Sequence, residues 1–144
     1  MVIVVYCIKI IMRLLFIGLL LLVSSHKLSF SNDALGNLSE TQIKSLLCHK
    51  WKLTLIEAKG KKATIPASSP EITLKFLDNG QLEETAGKEF YKGTWTYNHS
   101  KYTITTTDKD GKENHVLVDL TNDYLKMKTK FMGIQVMYGM KKVN

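Results

Sequence analysis

Few residues of this chain could do chemistry, and they do not share a spacing typical of a catalytic or metal site. The four histidines, His26, His49, His99 and His115, are well separated, and none belongs to a His-x-His pattern that would bring two imidazoles onto one metal ion. We therefore expect surface or turn histidines, no metal site and no cofactor.

The residues that could act as a nucleophile or as a pair of acids stand next to each other. Cys48 precedes His49, and Glu83 precedes Glu84. On an extended backbone adjacent side chains point to opposite sides, so neither pair can act together on one substrate. We predict a protein without catalytic residues that is not an enzyme. If Leu82 points inward, Glu84 does too, either as an anchor for a polar ligand group or, as we favour, as a rim residue in water.

The N-terminal part has the pattern of an export signal. Residues 14–23 form an apolar run behind Arg13, and small polar residues follow. So short a run predicts a signal peptide spanning residues 1–31, with cleavage after Ser31 or, at the competing site, after Ser25. The alternative is an uncleaved membrane anchor.

The true start of the protein is a related question. Met12 followed by Arg13 would itself open a normal signal peptide, so residues 1–11 could be an over-extended start. Export would place the protein in the periplasm or outside the cell, with membrane contact only through an uncleaved signal segment.

The exported part is mildly basic. Of the 20 basic residues three precede Asn32, whereas all 13 acidic residues follow it, which leaves 17 against 13 and a net charge of +4 from there on. The lysines are scattered apart from Lys59, Lys61 and Lys62, so we expect a solvated basic surface and no nucleic-acid binding. Only Cys48 remains after export, so an intramolecular disulfide is excluded and packing must stabilise what we expect to be a monomer.

Residues 32–47 have the pattern of a polar linker followed by one short helix. Ser39 and Gln42 have the spacing of a capping box, and Ile43 and Leu47 share one helical face. A helix this short cannot stand alone, so we expect it to cover the end of a larger structure.

From residue 48 onward the chain alternates apolar and polar residues in eight short stretches separated by turn signals such as Asp78-Asn79-Gly80. No helix-length pattern lies between them, so parallel βαβ units are excluded and neighbouring strands should pair in order. We predict an all-β fold, a small eight-stranded antiparallel up-and-down barrel over residues 48–144 behind a short N-terminal helix. Val116, Val118 and Leu120 are predicted to share its inner face.

One connection is much longer than the others. Ala58 to Pro70 is rich in lysine, alanine, serine and proline. A connection of this length in a compact domain is often functional. It is expected to be either a lid over the barrel mouth or a solvated loop.

Several segments together resemble the lipocalin-like domains found as small exported proteins in Bacteroidetes. The matching segments are Leu47 to Leu55, Phe76 to Gly80, Gly93 to Tyr97, the strand at Leu125, and Tyr138 to Lys142. The resemblance implies a barrel whose floor is formed by the first-strand Trp51 beneath a basic residue of the last strand, here Lys141 or Lys142. The lipocalin pattern in this strand is Gly-x-Trp. Trp51 matches its tryptophan, but His49 stands at the position of its glycine.

Two classes of function fit such a barrel. In the first, an exported protein binds a small lipophilic ligand in the interior. The residues predicted to line it are Leu55, Ile72, Leu74, Phe76, Trp95, Tyr97, Ile104, Val118, Met127 and Val136. In the second, a filled barrel contacts a protein or an envelope component through its loops or last strand. An eight-stranded barrel of short strands is just wide enough for side chains to fill it, so both classes remain open.

Overall fold

The protein is an antiparallel β-barrel with a short helix at one end. The computed structural model describes residues 33–143, so the predicted signal peptide lies outside the described residues. Two helices, α1 (Asp33–Gly36) and α2 (Glu40–Leu47), precede the strands. The strands are β1 (Lys50–Ala58), β2 (Lys61–Thr64), β3 (Ile72–Phe76), β4 (Gln81–Ala86), β5 (Glu89–Asn98), β6 (Thr103–Asp108), β7 (Gly111–Leu120), β8 (Tyr124–Phe131) and β9 (Ile134–Lys142).

Eight of these strands close the barrel. β1 pairs with β3, strands β3 to β9 pair in sequence order, and β9 returns to pair with β1. All of these pairings are antiparallel, which confirms the predicted fold class. Closure satisfies the backbone edges that an open sheet would leave unpaired.

The ninth strand, β2, lies within the connection expected as a lid or a loop. Lys59 and Gly60 have φ angles of 51° and 74°, as a two-residue hairpin turn requires, and Ala58 pairs with Lys61 directly after it. The prediction of an unbroken loop from Ala58 to Pro70 is therefore wrong. The turn folds four residues back onto β1, and only residues 65–71 connect β2 to β3.

The helix α2 covers one end of the barrel as predicted. Ser39 and Gln42 form the reciprocal hydrogen bonds of a capping box at its start. Ile43 and Leu47 are fully buried and belong to the same hydrophobic core as the strands. Leu35 of α1 is also buried in this core, so the segment predicted as a linker contains a helical turn.

The first residues of β1 join the helix to the barrel. Trp51 is fully buried, and its indole Nε1–H donates to the Leu47 carbonyl at 2.9 Å. Across the ladder Trp51 lies opposite Lys142, whose Nζ is 3.3 Å from Nε2 of His49. The prediction that Lys141 lies at the floor is wrong, because the alternation along β9 turns its exposed side chain outward.

A β-bulge in β1 changes which residues face inward. Before the bulge Leu53 lies opposite the buried Met140, and after it Ile56 lies opposite Tyr138. Leu55 lies opposite Gly139, on the outer face. The prediction that Leu55 lines the interior is therefore wrong, since the extra residue of a bulge shifts the two-residue alternation of a strand.

A second bulge lies in β7 at Val118. The buried residues on either side of it are Leu117 and Leu120, whereas Val116 and Val118 are only partly buried. The prediction that Val116 and Val118 face inward is wrong for the same reason as in β1. One extra residue between Leu117 and Leu120 brings both leucines to the interior.

Candidate functional site

The interior nearest α2 is filled by large apolar side chains, and we call it the apolar half. Phe76 and Trp95 meet edge to face with ring centroids 5.3 Å apart, and the Trp95 indole Nε1–H donates to the Leu77 carbonyl at 2.8 Å. The buried strand residues of this core are Trp51, Leu53, Phe76, Leu82, Trp95, Tyr97, Ile104, Leu117, Leu120, Leu125, Met127 and Met140. Each is less than a tenth exposed, so these side chains pack against one another.

Next to this packed core lie other inward-facing side chains, polar as well as apolar, most of which are only partly buried. We call this region the polar half. Its members are Ile56, Ile72, Leu74, Glu84, Tyr91, Thr106, Glu113, His115 and Tyr138. The register brings several of them together: Glu84 lies between Leu74 and Tyr91 on adjacent strands, and Thr106 lies opposite Glu113.

Glu84 has the most unusual environment of these residues. Its pKa is raised from an ordinary value near 4.5 to about 7, chiefly because burial disfavours the charged form, and additionally because Asp108 and Glu113 are negative. Its carboxyl group makes no hydrogen bond and no ion pair with any other residue that the structure describes. Leu82 is buried on the same strand, so Glu84 faces inward as predicted from it. Whether the carboxyl anchors a ligand group or is a rim residue stays a prediction.

His115 lies deeper than Glu84, at 8% exposure. Its Nε2 forms a hydrogen bond with the Thr106 hydroxyl at 3.2 Å, and Glu113 Oε2 is 3.9 Å from the same nitrogen. Burial lowers the pKa of His115, although Glu113 acts to raise it. The prediction that all histidines lie at the surface or in turns is wrong for His115, which occupies an inward position of β7 opposite the fully buried Ile104.

Two tyrosines complete the polar half. Burial, with smaller contributions from Glu113 and Glu84, raises the pKa of Tyr138 to about 12. The Tyr91 hydroxyl oxygen is buried and has no hydrogen-bond partner among the described residues. Both phenols therefore remain neutral hydrogen-bonding groups at physiological pH.

The barrel wall is interrupted beside the polar half. The ladder between β7 and β8 begins at the pair Val116 and Lys128, and beyond it the Thr129 hydroxyl bridges the strands by donating to the Asn114 carbonyl at 2.9 Å. An open groove of about 580 Å³ lies there. Its lining residues are Lys112, Glu113, Asn114, Val116, Lys128, Thr129, Lys130 and Gln135.

The residues predicted to line a ligand site are divided between the two halves. Phe76, Trp95, Tyr97, Ile104 and Met127 lie in the packed apolar half. Ile72 and Leu74 face inward in the polar half, and Val136 is a buried inward residue of β9 beside Thr129. Leu55 and Val118 lie at the bulges described above.

Sequence reasoning missed two polar members of the interior, His115 and Glu113. Both lie in β7, where the predicted inward alternation from Val116 placed them on the outer face. The alternation of the preceding strand predicts that Thr106 shares the face of Ile104. The ladder partners of Ile104 and Thr106 would then have brought in His115 and Glu113.

The residues considered for catalysis do not form a nucleophilic pair. Burial and the nearby Asp78 raise the pKa of the Cys48 thiol, which disfavours the thiolate needed for attack. His49 has its pKa lowered by burial and by Lys142, which is its neighbour at Nε2. Within residues 33–143 no group of three or more His, Cys, Asp or Glu side chains could hold a metal ion. The same residues include no helix long and apolar enough to cross a bilayer.

Comparisons with known proteins agree with this architecture. A sequence model of the lipocalin-like domain family matches residues 47–127, more than half of the chain. A solved structure of a lipocalin-like protein from Bacteroides uniformis ATCC 8492 superposes with a TM-score of 0.52 at 16% identity, covering 67% of this chain and 98% of that one. No curated protein matches the chain.

Proposed function

We propose, from the premise that this chain belongs to the lipocalin-like domain family, that it is an exported barrel protein that binds a small lipophilic ligand within the polar half of its interior. The observation that supports this most is the contrast between the two halves. The apolar half is packed, whereas inward-facing residues such as Ile56, Ile72 and Leu74 are left partly exposed.

The composition of the polar half suits a ligand site. Small-molecule sites combine an apolar lining with a few polar groups that orient the ligand. Ile72 and Leu74 supply apolar surface, and Glu84, Tyr91 and His115 supply polar groups. Glu113 of the polar half lines the groove between β7 and β8, and a ligand would enter through the wall there.

We expect a ligand that binds in the polar half to raise the melting temperature of the protein and to change its tryptophan fluorescence. A ligand at 100 times its dissociation constant adds ~2.7 kcal/mol of stability, which shifts the melting of a domain of this size by several degrees. The measurement is a thermal-shift and fluorescence screen of fatty acids, fatty alcohols, fatty amines, retinoid-like and porphyrin-like compounds. Leu74→Trp should fill the site and weaken binding at least ten-fold, whereas Thr96→Trp, at an exposed position, should not.

A second candidate is a filled-barrel module that contacts a protein or an envelope component. Lys112, Lys128 and Lys130 converge on the outer groove without an ion pair to any described residue, and such a basic surface would attract an acidic partner. If no compound of the screen shifts melting or fluorescence, the ligand-binding proposal should be abandoned for this one.

The export part of the proposal has its own test. We expect the mature protein to begin at Asn32 or His26, because the apolar run at residues 14–23 is short and is followed by small polar residues. N-terminal sequencing and intact mass of the protein from a periplasmic or culture fraction measure this. Retention of residues 14–23 in a membrane fraction would contradict it.

A further inference from the structure

The polar half holds a carboxyl group, that of Glu84, which forms no ion pair with any residue that the structure describes. The ion pairs near it involve other residues: Lys52 of β1 binds Glu71, which precedes β3, and Lys75 of β3 binds Glu83 of β4 on the outer face. Among the described residues, the titratable groups that face or influence Glu84 come from four other strands, and none of these groups is a lysine or an arginine. They are Tyr91 of β5, Asp108 of β6, Glu113 and His115 of β7, and Tyr138 of β9. A lysine does lie nearby: the Nζ of Lys109, in the turn after β6, is 5.5 Å from the centroid of the Tyr91 ring.

A second observation, independent of the acidic residues, also indicates a missing partner. His115 is more than nine-tenths buried and faces inward, yet its Nδ1 has no hydrogen-bond partner among the described residues. The buried Tyr91 hydroxyl, on the strand next to Glu84, lacks one as well. Buried polar groups are nearly always hydrogen-bonded. A ligand that brings donors would satisfy the phenol oxygen of Tyr91 and, in the tautomer whose Nε2–H donates to Thr106, the acceptor Nδ1 of His115.

We infer that the ligand of the polar half is an amphipathic amine, whose ammonium group is held by Glu84 and whose apolar part lies against Ile72 and Leu74. This inference rests on the proposed function. An ammonium group carries three hydrogen-bond donors and one positive charge, and the inward-facing members of the polar half include two carboxyl groups, Glu84 and Glu113.

Ligands that are neutral or negatively charged fit the polar half less well. A neutral lipophile would leave the Glu84 carboxyl desolvated without a partner, and a carboxylate would bring another negative charge beside Asp108 and Glu113. The protein as a whole is positive, with 20 basic against 13 acidic residues. Its long-range field therefore favours anions, so a preference for amines must come from the local residues.

The test compares three probes with the same eight-carbon chain, octylamine, octan-1-ol and octanoate, by titration calorimetry on the purified protein. At pH 8 we expect octylamine to bind at least ten-fold more tightly than octan-1-ol, and octanoate to bind most weakly. Lowering the pH to 6 should reduce the amine preference several-fold, because Glu84, with its pKa raised to about 7, becomes protonated.

Two matched variants test whether Glu84 causes the preference for the amine. Glu84→Gln should remove the amine preference while octan-1-ol still binds, and Glu83→Gln, on the outer face of the same strand, should leave the preference unchanged. If octan-1-ol binds but octylamine binds no more tightly, or if the preference survives in Glu84→Gln, the inference is wrong and the proposed function stands. If none of the three probes binds, the inference is wrong as well, and the wider screen described above decides whether the proposed function fails with it.

Discussion

Replacing Trp51 with alanine should lower the free energy of unfolding by ~3 to 5 kcal/mol, a large part of the total stability of a small domain. Trp51 is fully buried where α2 meets the barrel, and its indole donates the hydrogen bond to the Leu47 carbonyl. The substitution therefore leaves a cavity and removes the indole hydrogen bond, although the Leu47 carbonyl keeps the hydrogen bond from the His49 backbone N–H, and it also loosens the helix that covers this end. Urea unfolding followed by circular dichroism measures the change.

A matched control is available on the surface. Phe90 is another large aromatic residue, but it is 54% exposed, so Phe90→Ala should change stability by less than ~0.5 kcal/mol. An unchanged unfolding midpoint in Trp51→Ala would show that the helix end of the barrel is not held together through the indole.

Glu84→Gln should make the ligand-free protein more stable at pH 8, by up to ~3 kcal/mol. In the folded protein the pKa of Glu84 is about 7, against an ordinary value near 4.5, so between these pH values the folded state binds more protons than the unfolded state. The contribution of Glu84 to stability therefore falls as pH rises from 4.5 to 7, at about 1.36 kcal/mol per pH unit, and the penalty persists above pH 7. Glutamine stays neutral and avoids it.

The difference between the wild type and Glu84→Gln isolates this effect from His115. The lowered pKa of His115 acts in the opposite direction, because its stability contribution rises with pH towards the ordinary value near 6.5, but it is present in both proteins. We expect the two unfolding free energies to converge at pH 4 and to separate by pH 8. Glu83→Gln should show no such separation, and equal stabilities of Glu84→Gln and the wild type at pH 8 would contradict the desolvation of the partly buried Glu84 carboxyl.

Local sequence was sufficient for the parts of the fold that depend on neighbouring residues. Ser39 and Gln42 form the predicted capping box, and Asp78-Asn79-Gly80 makes the predicted tight turn between β3 and β4. The alternation of Trp95 and Tyr97 predicted their burial in β5. These features follow from propensities that act within a few residues, so they can be predicted without knowing how the strands pair.

Pairing between distant strands decided the rest. Which of Lys141 and Lys142 faces Trp51 depends on the register of β9 against β1. The bulge that turns Leu55 out of the interior arises in this same ladder, and the bulge at Val118 arises in the ladder between β7 and β8. The sequence determined that this chain would form an antiparallel barrel behind a capped helix. Only the tertiary structure decided which side chains would share the interior, because each inserted residue reverses the faces of the strand beyond it and no local pattern reports the insertion.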